Sequence, residues 1–327
     1  MINFLYCLDE NYNHQLSVSL YSLLQNINQP ISVFIIHKTY SDPSFIPKKV
    51  LNHVNLESIH IFKFNKDVKS FPNLHNSHVS EATYYRLFMD DYLPEDMSSI
   101  VYLDADVVCI NNPVNKINET FEQMSKNQRT IGVKTEIVKD EQSLELFNNL
   151  NMKNDHYFNA GVMFIDLKMW KDDRADVLLR ELLNELYDKV KFWDQDILNS
   201  FFDGRYYECS ETLNKVLNLF YNCDSDRGYT TKKLRKENIF IHYAGSHKPW
   251  TPTGILSVTS EFYQELFRKL FNKKYHLTHK WKVNSIKIIY KSVADKTYLN
   301  LNYKKIFFLI FFQSLFVKNL KYKEKRK

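Results

Sequence analysis

Residues Ile2 to Leu8 form an unbroken apolar run of strand length, and the polar group Asp9-Glu10-Asn11 follows at once. Leu16, Leu20, Leu23, Leu24 and Ile27 then recur at the spacing of one helix face. Ile31 to Ile36 is a second apolar, β-branched run. Ile59, Ile61 and Phe62 sit in a third, after a proline-broken stretch from Asp42 to Val54. Apolar strands alternating with helices predict a parallel sheet covered on both faces.

Further along, the pattern predicts a helix from Glu81 to Tyr92, stopped by Pro94, and a buried strand from Ser99 to Leu103 that ends in Asp104-Ala105-Asp106. Asn159 to Leu167 reads as a strand. An amphipathic helix follows near Asp173 to Val190, with Val177, Leu178, Leu182 and Leu186 on its apolar side. A short helix spans Gln195 to Phe202, and Ile239 to His242 forms a strand ending in a histidine. Ligands of open α/β sheets collect at the carboxyl ends of strands, so Asp9 and the Asp104/Asp106 pair are expected to be neighbours in space. The chain has no internal repeat, no G-x-G-x-x-G and no Walker-type loop, which removes the usual glycine cradles for phosphate.

With 327 residues, 44% of them hydrophobic, the chain can bury a sizeable core. No Gly/Ser/Pro-rich linker interrupts the first 250 residues, so we expect one mixed α/β domain over 1–262 and an extension over 263–327. Cys7, Cys109, Cys209 and Cys223 are far apart and lack zinc-ligand spacing, which fits free thiols in a reducing compartment. The first apolar run is short and has no basic segment before it, so it reads as a strand and not a signal peptide, making the cytoplasm the expected location. From Tyr303 onward eight basic residues face Glu324 alone, a balance of +7, which leaves −1 of the total +6 for the rest. A near-neutral body argues against nucleic acid as a partner.

Two segments carry candidate chemistry. Tyr102 to Val108, YLDADVV, sets two carboxylates where an apolar strand leaves the sheet, which suits a divalent ion such as manganese or magnesium that would neutralise a diphosphate leaving group. A D-x-D by itself is equally a solvated acidic turn. Residues 242 to 250 read HYAGSHKPW: His242 offers an imidazole nitrogen, Gly245 a close backbone approach and Lys248 a phosphate partner. His242 alone would read as a packed strand-end histidine. Together with two carboxylates it completes a credible metal shell.

Six ordered motifs give the chain a specific resemblance: LDENY (Leu8–Tyr12), ATYYRL (Ala82–Leu87), YLDADVV, YFNAGV (Tyr157–Val162), WDQDILN (Trp193–Asn199) and HYAGSHKPW. Over about residues 1 to 260 the sequence resembles glycosyltransferase family 8, the retaining GT-A-fold galactosyl- and glucosyltransferases that include bacterial lipopolysaccharide enzymes. The resemblance implies a Rossmann-like mixed sheet with helices on both faces, and a UDP-sugar donor. Asp9 and Asn11, with the backbone at Cys7 and Leu8, would hold uracil and ribose. Thr83 would lie near the base, and Arg86 would bind the donor and position its sugar. Asp104, Ala105 and Asp106 would meet the diphosphate, with Asp104, Asp106 and His242 holding the metal and Gly245 and Lys248 reaching the phosphates. Asn159, Asp194 and Gln195 would surround the transferred hexose. Gln195 would give electrostatic support at the reacting carbon, with Asp194 the better candidate for any covalent intermediate and Asp196 a helix N-terminal residue. Glu10 stands where the family often has aspartate, and Cys7 replaces a smaller residue.

Other readings are a nucleotidyltransferase, which also uses a D-x-D metal site, and a non-catalytic nucleotide-sugar-binding protein. Ile306 to Val317 holds ten large apolar residues in twelve, flanked by lysines. That run is too short to span a bilayer, so residues 304–327 are expected to lie on a membrane surface, beside a saccharide or glycolipid acceptor, or to pack on the domain as a terminal helix. Lys139 to Asp155 and Asn214 to Lys236 are expected to shape the acceptor site.

Overall fold

The computed structural model describes residues 1–66, 71–74, 80–219, 230–278, 283–296 and 304–324, the side chains of 283–285, 304 and 316–324 excepted. Strand β1 (Ile2–Leu8) and β2 (Ile31–His37) are buried nearly throughout, as helices on both faces demand of an apolar run. β3 (Leu56–Lys63) has no fully buried position because it lies at the sheet edge. β4 (Ser99–Leu103) pairs parallel to β1 on the other side.

Beyond β4 the sheet changes direction. β7 (His156–Asp166) runs antiparallel to both β4 and β6 (Ile131–Val138), and two-residue β8 (Tyr207–Glu208) closes the order β3-β2-β1-β4-β7-β6-β8. The sheet is therefore mixed: the expected parallel arrangement holds for its first four strands and recurs only in the short β6–β8 pair. A second sheet of order β5-β10-β9 sits beside it, built from Val107–Cys109, Phe240–His242 and Lys215–Val216.

Two further differences from the sequence pattern have plain causes. Glu81–Asp91 is a 3-10 helix, its first turn held by Ser80, whose side chain accepts the Ala82 N–H. The helix expected over 173–190 is Ala175–Glu185, and its buried stripe is Ala175, Leu179 and Leu183, continued by Leu186, while Val177 faces out. Those four positions follow the helical repeat more closely than the stripe through Val177 and Leu178.

Two apolar clusters lie on opposite faces of the large sheet: Phe4, Tyr6 and Val33 point into one, Leu5, Phe34 and Ile36 into the other. The Glu261–Phe271 helix packs on the Asn13–Asn26 helix and sends Phe262, Tyr263, Phe267 and Leu270 into the first cluster, across the expected boundary at 262. A smaller third cluster joins Ile255 and Leu256 to Ile289, Ile306, Phe307 and Ile310 of the last two helices, Val283–Ala294 and Lys304–Glu324. Among the described residues no helix is long and apolar enough to cross a membrane. Cys7, Cys109 and Cys209 are buried free thiols, and Cys223 lies outside the described residues.

Because Phe267 is buried in the main core, Phe267→Ala is expected to cost about 3–5 kcal/mol within a single cooperative denaturant transition. A separate minor transition would show that the helix is not part of the domain core.

Candidate active site

The large sheet delivers its chemistry through a change of partners at Leu103. Leu103 still pairs with Val162 of β7, and Asp104 donates its backbone N–H to the Gly161 carbonyl at 2.8 Å. By Val107 the chain has entered the small sheet, so Asp104, Ala105 and Asp106 form the corner between the two. β10 runs antiparallel to β5 with His242 opposite Val107, which fixes the imidazole beside that corner.

His242 Nε2 lies 3.4 Å from Asp106 Oδ1 and 3.9 Å from Asp104 Oδ2. One ligand atom from each of the three falls within 4.8 Å of the others. Asp106 Oδ1 is buried and has no hydrogen-bond partner among the described residues. Two carboxylates and an imidazole, one oxygen left without a donor, fit a divalent cation such as Mn2+ or Mg2+. Gly161 leaves the necessary room: a Cβ there would come 2.3 Å from His242 Cε1 and 2.9 Å from Asp104 Oδ2.

Cations built into the fold offset this charge. Lys248 pairs with Asp106 Oδ2 and also donates to the Tyr243 carbonyl at 2.6 Å. Burial pushes the Asp106 carboxyl up, but Lys248 and His242 outweigh it and hold the group well below the usual carboxylate range. Arg86, 5% exposed, pairs with Asp194 through Nε at 2.7 Å and with Asp104 through Nη2 at 3.3 Å. Its guanidinium lies 4.1 Å from the centre of the Tyr102 ring, whose hydroxyl donates to Asp104 Oδ1 at 2.7 Å. Burial alone would lower Arg86; Asp194, Tyr102 and Asp104 reverse that and hold it above its ordinary value. Asp194 also accepts from the Thr83 hydroxyl. Its burial pushes its pKa up to about 6, against the pull of Arg86 and Thr83.

Gln195 accepts the Ala160 N–H at 2.9 Å, and its amide nitrogen is 3.4 Å from Glu136. Asn159 donates to Glu136 at 3.0 Å. Asp196 is fully buried, accepting Tyr157 OH and the N–H groups of Lys191 and Phe192, so it braces the start of the Trp193–Phe202 helix. Gly245 has φ +76°, and a Cβ there would meet Asn218 Oδ1 at 2.7 Å.

A cavity of about 400 Å³ gathers Cys7, Leu8, Thr83, Arg86, Asp104, Ala105, Asp106, Asn159, Asp194, Gln195, His242, Gly245 and Lys248. Asp9 and Asn11 do not line it: Asp9 is buried, with both carboxylate oxygens turned to the Asn11 backbone and side-chain N–H groups. Tyr12 lines the cavity in their place and has Asp106, Asp104 and Asp9 all in its surroundings. Glu136, Trp193 and Asn218 also line it without having been candidates. Part of the 214–236 stretch, including residues 220–229, lies outside the described residues.

A two-sheet α/β core with a carboxylate–imidazole corner beside a cavity is the GT-A architecture, and solved structures agree. The galactosyltransferase LgtC, solved with donor and acceptor sugar analogs, matches 88% of this chain and all of its own length with a TM-score of 0.65 at 21% identity. The model of glycosyl transferase family 8 matches residues 3–254, and the chain belongs to that family. An Escherichia coli lipopolysaccharide 1,2-glucosyltransferase is 30% identical over 74% of this chain and 71% of its own. A Salmonella typhimurium lipopolysaccharide 1,3-galactosyltransferase is 24% identical over 80% and 77%.

Asp194 yields a pH prediction. Its native pKa of about 6 exceeds the ordinary carboxylate value, so between about pH 4 and 6 the native state holds a proton that the unfolded chain has released. Its contribution to stability is therefore greatest at the acid end and declines by about 3 kcal/mol as pH rises through that window. Denaturant melts of wild type and Asp194→Asn across pH 4–7 should differ by a term with that slope; parallel curves would contradict it.

Proposed function

We propose that the protein is a metal-dependent transferase that moves galactose or glucose from a UDP-sugar to a lipopolysaccharide-type saccharide or another cell-surface glycan, with retention of configuration. The observation that carries this reading is the union, in one cavity, of the Asp104–Asp106–His242 set with Arg86, Asp194 and Gln195. The acceptor class is supported by the relatives, several of which are lipopolysaccharide glycosyltransferases.

A divalent cation held by Asp104, Asp106 and His242 would supply charge neutralisation for the diphosphate as it departs. Lys248, already paired with Asp106, stands at the same corner with an ammonium suited to a phosphate oxygen. Asp194 is committed to Arg86 and Thr83, which leaves it better placed to fix the donor sugar than to attack it. Gln195 presents an amide to the cavity and is a poor nucleophile. Retention then follows from attack on the face the leaving group departs. The bond from C1 to the phosphate oxygen breaks with its electron pair going to UDP, the acceptor oxygen bonds to C1, and its proton passes to the departing phosphate.

UDP release should occur from one UDP-hexose with Mn2+, stop with chelator and vanish in Asp106→Ala. Release of pyrophosphate would indicate a nucleotidyltransferase instead, and no metal-dependent turnover by folded protein would overturn the reading. NMR of the product should show the donor's anomeric configuration.

The terminal helix is part of the same proposal. Leu309, Phe312 and Leu315 are exposed on it, Lys305 is exposed at its start, and lysines follow in sequence. Such a face suits peripheral contact with anionic lipid on the cytoplasmic side, where a glycolipid acceptor would be presented. The protein should co-sediment with phosphatidylglycerol vesicles, and a Leu309→Ser, Phe312→Ser double variant should not. Persistent vesicle binding after truncation at Asn302 would count against the helix as anchor.

A further inference from the structure

Asn214 belongs to none of the sequence motifs and does not line the cavity, yet it is 3% exposed and touches a residue of the metal corner. It sits just before β9, whose parallel pairing with β10 sets Val216 opposite His242 and so brings Asn214, two residues earlier, within side-chain reach of the imidazole. Asn214 Oδ1 is 3.1 Å from His242 Nδ1. On its other side Asn214 Nδ2 donates to Asn159 Oδ1 at 3.0 Å. Asn159 Oδ1 also accepts the Gly161 backbone N–H at 3.0 Å, and Asn159 Nδ2 donates to Glu136 Oε2 at 3.0 Å.

We infer that Asn214 is a positioning residue: through the chain Glu136–Asn159–Asn214 it keeps a proton on His242 Nδ1, so that Nε2 is the nitrogen turned toward the Asp104–Asp106 corner and offered to a divalent cation.

The direction of the chain is forced at both ends. A carboxylate only accepts and a backbone N–H only donates, so Asn159 must turn its nitrogen to Glu136 and its oxygen to Gly161. That oxygen requires a donor from Asn214, which leaves the Asn214 oxygen facing the imidazole. An amide oxygen only accepts, so Nδ1 must carry the proton. The opposite tautomer would need both amides reversed, and would set the Asn159 oxygen against the Glu136 carboxylate and its nitrogen against the Gly161 N–H. Each such contact leaves buried polar groups unsatisfied, at about 1–3 kcal/mol apiece. A histidine binds a metal through an unprotonated nitrogen, and the partner of its other nitrogen decides which one that is.

The inference rests on the reading of Asp104, Asp106 and His242 as a cation site, and the test separates the two. In metal-free wild-type protein at pH 8, His242 Nδ1 should give the 15N shift of a protonated nitrogen. An unprotonated Nδ1 would overturn the inference, whether or not metal binds. Mn2+ titrations followed by electron paramagnetic resonance should find about 10- to 100-fold weaker binding in Asn214→Leu. Asn214→Asp, which still accepts from Nδ1 but loses the donation to Asn159, should bind Mn2+ more tightly than Asn214→Leu. A folded Asn214→Leu protein with wild-type Mn2+ affinity would also overturn it. If wild type binds no Mn2+, the cation reading fails while the 15N result still decides the role of Asn214; if Asn214→Leu does not fold, the wild-type spectrum remains decisive.

Discussion

Like charge crowded into a poorly solvated space is the constraint around which this molecule is organised. Asp104, Asp106 and Asp194 all enter one cavity, and two unit charges about 5 Å apart repel by about 3 kcal/mol at an effective dielectric of 20. The fold answers with Arg86 bridging Asp104 to Asp194 and with Lys248 on Asp106. These five groups keep one formal negative charge between them. That residue of charge would suit the dication that the proposed function calls for. Removing one cation from such a cluster leaves a buried carboxylate uncompensated, so Arg86 and Lys248 serve the fold as well as the ligand.

Geometry makes that crowding achievable. The chain crosses from the large sheet to the small one within the D-x-D segment, so the two carboxylates stand at a corner and do not continue along a strand. Antiparallel pairing of β10 with β5 sets the histidine by register alone. β7 contributes an absence, the missing side chain of Gly161, without which imidazole and carboxylate could not both occupy the gap.

Much of this was legible in the sequence, for identifiable reasons. β1, β2 and β4 are buried on both faces and therefore read as continuous apolar runs. The site residues that lie within contiguous motifs were also readable, because D-x-D, a strand-end histidine and W-D-Q each carry chemistry in their residue types. β6 escaped because its outer half alternates with solvent, and Val114–Lys126 because its buried Val114, Ile117 and Met124 are diluted by polar neighbours. Asn214 and Glu136 were invisible because their significance lies in what they touch. Asp9 and Asn11 show the converse: the motif is real, but the carboxylate is turned toward its own loop. A lone glycine inside the buried YFNAGV strand was the available hint for Gly161.

The antiparallel pairing of β10 also orders events in time. A chain grows from its N-terminus, and the strands that frame the corner, β1, β4 and β7, are complete long before residues 240–248 leave the ribosome. Until then the nascent protein displays Asp104 and Asp106 with neither His242 nor Lys248 beside them, an open and hydrated acidic turn. Insertion of β10 between β5 and β9 thus completes the corner, and a chain released before it would have most of the sheet but only the two carboxylates of that set.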